Sequence, residues 1–235
     1  MRPLRIGFLL PDYSDRSRSY MRVVLQSLAE RGAVVGVVHP AEHAIDLSRV
    51  QVEYDLYVLR KMSGAALSLA GALHELGAAI VNPYPVSATL RDKIVTCRVL
   101  QAAGLPVPAT FVAAEPEHLA PLLADGPLVL KPYLGAGGHH VRIVRDAAEL
   151  APLERGREPL FAQRYHAPQG RDRKLYVIGD RVFGVKKVFP RRTHEERMGE
   201  PFAVTAELAE IARRCGRAFG IDLYGVDVIE SDGQP

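Results

Sequence analysis

The residues best suited to chemistry lie between Leu128 and Arg145, where the apolar run Leu128-Val129-Leu130 ends on Lys131 and leads into a glycine-rich turn. Pro132 stops the first segment, and Val141, Arg142 and Ile143 resume with the alternation of a strand. Gly135, Gly137 and Gly138 free the backbone to take positive φ and to bring its N–H groups against an anionic group. Lys131 adds a point charge suited to phosphate oxygens. A Gly-Lys-Ser/Thr phosphate loop would open a helix, and a Gly-x-Gly-x-x-Gly fingerprint would join strand to helix; here a strand follows, and neither motif is present. Two readings remain, a hairpin flap over the phosphates of a nucleoside triphosphate and an ordinary hairpin with a flexible tip. His139 and His140 point to opposite sides of a strand, which argues against a metal shared between them.

The elements around this hairpin follow from periodicity. Residues 1 to 85 read as a small α/β unit: strands at Arg5–Leu10, Val34–Val38, Asp55–Leu59 and Ala79–Val81 alternate with helices at Ser17–Glu30 and Gly64–Leu76, closed by Gly32 and Gly77. Such alternation argues a parallel sheet with helices on its faces. Ligands of such sheets sit beyond the carboxyl ends of the strands, so Asp12, Arg60, Lys61 and Asn82 are candidates for substrate contact beside turn and cap roles. Ser87 is expected to cap a single helix running to Ala103, ended by Gly104 and Pro106, with an extended linker after it. The connecting helix and linker therefore occupy 86 to 108. A second region follows in two parts, 109 to 163 with the glycine hairpin and 164 to 235 beyond it. In the latter, strands Lys174–Ile178 and Val182–Lys187 join across Gly179-Asp180, Phe189–Pro201 reads as a charged loop, Glu207–Phe219 as an amphipathic helix, and Leu223–Ile229 as a strand carrying Asp227. Glu230 to Gly233 then form a turn, which is half a hairpin; the expectation is a chain that continues past Pro235.

Composition narrows the class. With 235 residues, 48% of them hydrophobic, the chain can bury a sizeable core. A net charge of +3 with interspersed signs carries no nucleic-acid footprint, and the apolar runs are of strand length, so neither nucleic acid nor membrane is an expected partner. Two cysteines, Cys97 and Cys215, both in expected helices, offer no disulfide framework and suit a cytoplasmic protein. Lysine is scarce, with 6 against 24 arginines.

Taken together, Asp-Lys on a helix ending Ala-Gly-Leu-Pro-Val-Pro, a strand ending Lys-Pro before a glycine hairpin, Gln-Arg-Tyr-His, Gly-Arg-Asp-Arg-Lys-Leu-Tyr-Val-Ile-Gly-Asp and Gly-Val-Asp-Val resemble the ATP-grasp superfamily, and within it the RimK-like ligases. The resemblance runs from about Val81 to Gly233. It implies a pre-ATP-grasp, Rossmann-like α/β domain followed by an ATP-grasp domain of two α+β subdomains. It also implies a ligase that uses ATP with Mg2+ or Mn2+ to join a small-molecule or peptide carboxylate to an amine through an acylphosphate. Lys93 and Lys131 match the lysines that reach the ATP phosphates, with Gly135, Gly137 and Gly138 as the flap above them. Gln163, Arg164, Tyr165 and His166 match the hinge that pairs with the adenine edge, Asp172 an acidic contact to the nucleotide, and Asp227 the first metal ligand. Lys186, Lys187 and Arg191, with Arg192, lie where a γ-phosphate or anionic substrate would be met, against the alternative of a solvated charged loop for the arginines.

Three departures stand out. Arg164 replaces the usual hinge Glu, Lys174 replaces the Arg of Asp-x-Arg, and the Glu-x-Asn pair that completes the metal site would lie beyond Pro235. Two alternatives stay open: an inositol trisphosphate kinase-like enzyme, loosely matched by Arg60-Lys61, His139-His140 and Lys174-Leu-Tyr-Val, and a catalytically inactive nucleotide-binding module.

Overall fold

Parallel pairing organises the N-terminal part of the chain. In the computed structural model, strand β1 (Arg5–Leu9) is central in a sheet ordered β2-β1-β3-β4, with β2 (Val34–Val38), β3 (Leu56–Leu59) and β4 (Ile80–Val81) each parallel to its neighbour. The structure describes residues 2–10, 20–42, 44–60, 64–135, 140–153, 156–167, 172–187, 193, 196 and 198–229. These fall into two compact units, Met1–Arg91 and Asp92–Pro235. In the first, α1 (Met21–Glu30) lays Met21, Leu25 and Leu28 against Ile6, Phe8 and Leu10, while α2 (Gly64–Glu75) buries Leu67, Ala70 and Leu73 with Leu9, Leu59 and Ile80. Gly7 and Gly36 are register partners, and the Tyr54 ring lies over both where any Cβ would stand.

The expected single helix from Ser87 to Ala103 is instead two, α3 (Tyr84–Thr89) and α4 (Lys93–Ala102). Asp92 causes the break: its backbone is extended, and its carboxylate accepts from the N–H groups of Ile94 at 2.8 Å and Val95 at 3.1 Å. Ser87 therefore caps nothing; it is buried inside α3 and donates to the Asn82 carbonyl at 3.2 Å.

The second unit holds two antiparallel sheets. The first is ordered β5-β8-β6-β7, from β5 (Thr110–Ala113), β6 (Leu128–Pro132), β7 (Arg142–Val144) and β8 (Leu160–Arg164). One face of it, with Ala113, Leu128, Leu130, Val144 and Ala162, packs on a tight helix at Pro116–Asp125. Pro121 inside that segment excludes a regular α-helix, although Leu119, Leu122 and Leu123 share one helical face against the sheet; no element was expected there from the sequence. The second sheet is ordered β11-β10-β9-β12, from β9 (Asp172–Ile178), β10 (Arg181–Lys187), β11 (Glu200–Phe202) and β12 (Leu223–Val228). Strand β11 falls at the end of the stretch expected to be loop, where Pro201 sits in an edge strand as its missing N–H requires. Helix α5 (Ala206–Phe219), capped by Thr205 and closed by Gly220 at φ +65°, covers one face through Leu208 and Ala212.

Gly216 marks the tightest approach of α5 to the sheet, because the Tyr224 ring occupies the place of a Cβ and its hydroxyl donates to the Ala212 carbonyl at 2.8 Å. Ala exceeds Gly in helix propensity by about 1 kcal/mol, yet overpacking costs about 1–3 kcal/mol. Gly216→Ala is accordingly expected to lower stability in chemical denaturation, and a stabilised variant would show that the ring yields freely.

Candidate active site

Each sheet of the second unit has a second face, opposite its main hydrophobic cluster, and on the first sheet α4 reaches that face through Cys97. On the first sheet, strand alternation and register put Thr110, Val129, Lys131, Phe161 and Gln163 on the face opposite the hydrophobic cluster. Lys131 donates to the Gln163 amide oxygen at 2.9 Å, and Gln163, buried at 8% exposure, donates through its nitrogen to Thr110 Oγ1 at 3.0 Å and to Cys97 Sγ at 3.5 Å. Burial holds the Lys131 ammonium below its ordinary value of 10.5, offset in part by the Cys97 thiol and the Asp227 carboxylate. The same burial pushes the Cys97 thiol up.

Lys93 opens α4 and ties the glycine hairpin down. Its ammonium donates to the carbonyls of Pro132 and Gly135, both at 2.7 Å, and its backbone N–H to the Tyr133 carbonyl at 2.9 Å. Burial, then repulsion from Lys131, lowers its pKa, while Asp92 and Cys97 act the other way. Two lysines thus share one electropositive region, the arrangement that favours a bound polyanion. Gly135 takes φ +103°, a conformation open to glycine; Gly137 and Gly138 lie outside the described residues. A cavity of about 720 Å³ opens beside the hairpin, lined by Lys131, Tyr133, His140, Arg142, Glu158 and Phe161 among others.

On the second sheet the register separates the residues expected to act together. Asp172, Lys174 and Tyr176 of β9 share the uncovered face with their partners Lys187 of β10 and Asp227 of β12. Lys174 donates to Asp227 Oδ1 at 2.8 Å, and Lys187 donates to the Tyr176 hydroxyl at 3.1 Å. Lys186 pairs with Arg173 on the helix-covered face instead, where both cations lie over the Phe202 ring at 5.6 and 5.5 Å. Lys187, not Lys186, is thus the β10 lysine that pairs with Asp172 and shares a sheet face with Asp227. Arg191 and Arg192 lie outside the described residues.

The hinge residues divide similarly. The Arg164 side chain turns back to the Gly126 and Leu122 carbonyls and over the Phe111 ring, so it braces the Pro116–Asp125 helix. Its N–H bonds the Ala109 carbonyl at 2.8 Å and that of Tyr165 the Pro127 carbonyl at 2.9 Å; His166 follows, half-buried. Arg60 is exposed at the end of β3, Asn82 accepts from Ser87, and Asp12 and Lys61 lie outside the described residues. The sequence reading missed three contributors: the Gln163 side chain, Thr110, and Lys174 as the partner of Asp227. Only strand register reveals them.

Asp227 suits a divalent cation as one hard oxygen ligand and not as a whole shell. Its carboxylate is exposed on the uncovered face, and among the described residues no group of three or more His, Cys, Asp or Glu converges to hold a metal. Phosphate oxygens and water would supply the remaining ligands, with Lys174 displaced from Asp227. No helix among the described residues is long and apolar enough to cross a membrane.

Residues 90–235 match the family model of the RimK-like ATP-grasp domain. The chain is 25% identical over 181 residues to a glutamate–LysW ligase of Sulfurisphaera tokodaii, covering 72% of this chain and 64% of that protein. It is 26% identical over 216 residues to a ribosomal protein bS6–L-glutamate ligase of Escherichia fergusonii, covering 84% and 72% respectively. The crystal structure of a RimK domain ATP-grasp protein from Sphaerobacter thermophilus superposes with a TM-score of 0.79 at 26% identity, covering 98% of this chain and 88% of that one.

A buried lysine with a depressed pKa binds its proton more weakly in the folded than in the unfolded chain. Stability therefore rises with pH between the depressed value and 10.5. Lys131→Met, which removes the desolvated charge, is expected to leave the nucleotide-free protein as stable as wild type or more so near neutrality, and to flatten that rise. Urea denaturation across neutral to alkaline pH measures both; a loss above about 1 kcal/mol near neutrality would contradict the assignment.

Proposed function

Because the chain belongs to the RimK-like ATP-grasp family, we propose that it is an ATP-dependent ligase that joins a carboxylate to an amine. The observation that carries this reading is the Lys131 ammonium, desolvated, held by a neutral amide and within electrostatic reach of Asp227 on the facing sheet. A nucleoside triphosphate bound beside Lys131 and Lys93 supplies the anion that this arrangement lacks. The substrate carboxylate attacks the γ-phosphorus, the bond to the β-phosphate oxygen breaks, and ADP leaves. The amine then attacks the acyl carbon of the acylphosphate, inorganic phosphate departs, and the amine proton is lost as the amide forms.

The protein contributes charge and position to these steps more than covalent chemistry. Lys131 and Lys93 neutralise phosphate charge, and Lys93 also holds the base of the flap through Pro132 and Gly135. Asp172 and Lys187 stand opposite one another on the uncovered face of the second sheet, placed for the nucleotide and for the anionic end of a substrate. Mg2+ or Mn2+, bound in part by Asp227, would add charge neutralisation on the phosphates. The hinge backbone from Gln163 to His166 borders the adenine. The relatives are named for joining glutamate to a protein, and an amino-acid amine with a peptide or small-molecule carboxylate is the pair proposed for this chain.

Incubating the full-length protein with ATP, Mg2+, glutamate and a panel of carboxylates, with hydroxylamine as a trap, tests the reading. ADP, phosphate and a hydroxamate are expected together, and Lys131→Met should weaken ATP binding by about 1.5–3 kcal/mol, the range for a charge-assisted contact. Labelled phosphate retained on a hydroxyl compound would establish a kinase and overturn the ligase reading.

A further inference from the structure

The Lys131 contact is the last link of a chain of hydrogen bonds with one direction. Its first acceptor is the Pro108 carbonyl, set in the extended Pro106-Val107-Pro108 segment, whose two fixed φ angles restrict where that oxygen can point. Thr110 Oγ1 donates its one proton to this carbonyl at 2.8 Å. The Thr110 oxygen therefore offers only lone pairs to Gln163, whose side-chain nitrogen lies 3.0 Å away. The other N–H of that amide faces Cys97 Sγ at 3.5 Å. With its nitrogen committed on both sides, the amide must turn its oxygen to Lys131, 2.9 Å from the ammonium.

We propose that Thr110 is a positioning residue for Lys131: its hydroxyl orients the Gln163 amide so that an acceptor, and not an NH2 group, faces the ammonium. The proposal rests on the reading of Lys131 as a phosphate ligand. Thr110 and Gln163 are register partners on adjacent strands, which fixes their spacing, and Gln163 is buried. Removing the hydroxyl takes from the amide nitrogen one of its two acceptors, so the oxygen is held toward Lys131 by the ammonium alone and less firmly. A neutral acceptor also suits the task better than a carboxylate: it keeps the lysine extended across the sheet face yet leaves its full charge to a phosphate. The helix-covered face does not share this arrangement, because its alternating residues on β5 and β8 are Phe111 and Ala162.

The test is the affinity of the full-length protein for ADP and for adenosine, with Mg2+ present, by calorimetry. Thr110→Val keeps the β-branched shape and removes the hydroxyl; it is expected to weaken ADP about three- to tenfold, the scale of one net hydrogen bond, and to leave adenosine unchanged. Thr110→Ser should restore ADP affinity. In a Lys131→Met background, Thr110→Val should have no further effect on ADP. Equal losses for ADP and adenosine, failure of the Ser variant to rescue, or full additivity with Lys131→Met would each overturn the relay. If Lys131→Met weakens ADP while Thr110→Val does not, the relay alone falls. If Lys131→Met leaves ADP affinity unchanged, the phosphate-ligand reading falls and the relay with it.

Discussion

A half-buried lysine ammonium held against a neutral amide is the constraint on which the C-terminal unit turns. Taking a charge out of water is costly unless it is paired, and the hydrogen bond that Lys131 makes to Gln163 offsets only part of that cost. Folding tolerates it because the same strands bury apolar side chains on their other face, where Leu128, Leu130 and Ala162 are each no more than 6% exposed. The β5-β8-β6-β7 sheet thus sets the lysine beside its Gln163 acceptor. Under the proposed function, desolvation already incurred in the free protein favours an incoming polyphosphate.

Backbone alternation then decides which other groups can share the work. In β10 the adjacent lysines Lys186 and Lys187 leave the strand on opposite faces, and only Lys187 meets Asp172, Tyr176 and the Asp227 side of the sheet. The helix α5 decides which face is available, since it buries Leu175 and Val177 with Leu208 and Ala212. Lys174 occupies the Asp227 carboxylate as an internal cation. Its single ammonium binds less specifically than a forked guanidinium would, which suits the proposal that it gives way when a metal and phosphate bind.

Much of this was legible in the residues. Strand alternation around Gly179-Asp180, the apolar run before Lys131, and the glycines ending α1 and α2 are local signals, and each produced the element it implies. The break between α3 and α4 was not seen, because Asp92 fits a helix surface as well as it fits a cap, and only its extended backbone decides between them. The short strand β11 depends on its partner β10 and is too brief to leave a periodic trace, and the helix at Pro116–Asp125 shows its face only in Leu119, Leu122 and Leu123, with Pro121 arguing against a helix there. Site residues followed the same division. Motif order singled out Lys93, Lys131 and Asp227, whereas the contacts from Gln163 to Lys131 and from Lys174 to Asp227 join residues 32 and 53 positions apart and exist only once the strands pair.

The central claim is that this pair of half-buried lysines, both with depressed pKa values, is completed by phosphate. An anion beside Lys131 and Lys93 raises both pKa values, so nucleotide binding must take up protons at pH values between the depressed values and the ordinary 10.5. Calorimetry of ADP binding in alkaline buffers of different ionisation enthalpy reads that uptake directly. The account predicts net proton uptake that grows as pH rises into this window and affinity that falls with it, both reduced in Lys131→Met. Binding with the same affinity and no proton uptake across that range would contradict it.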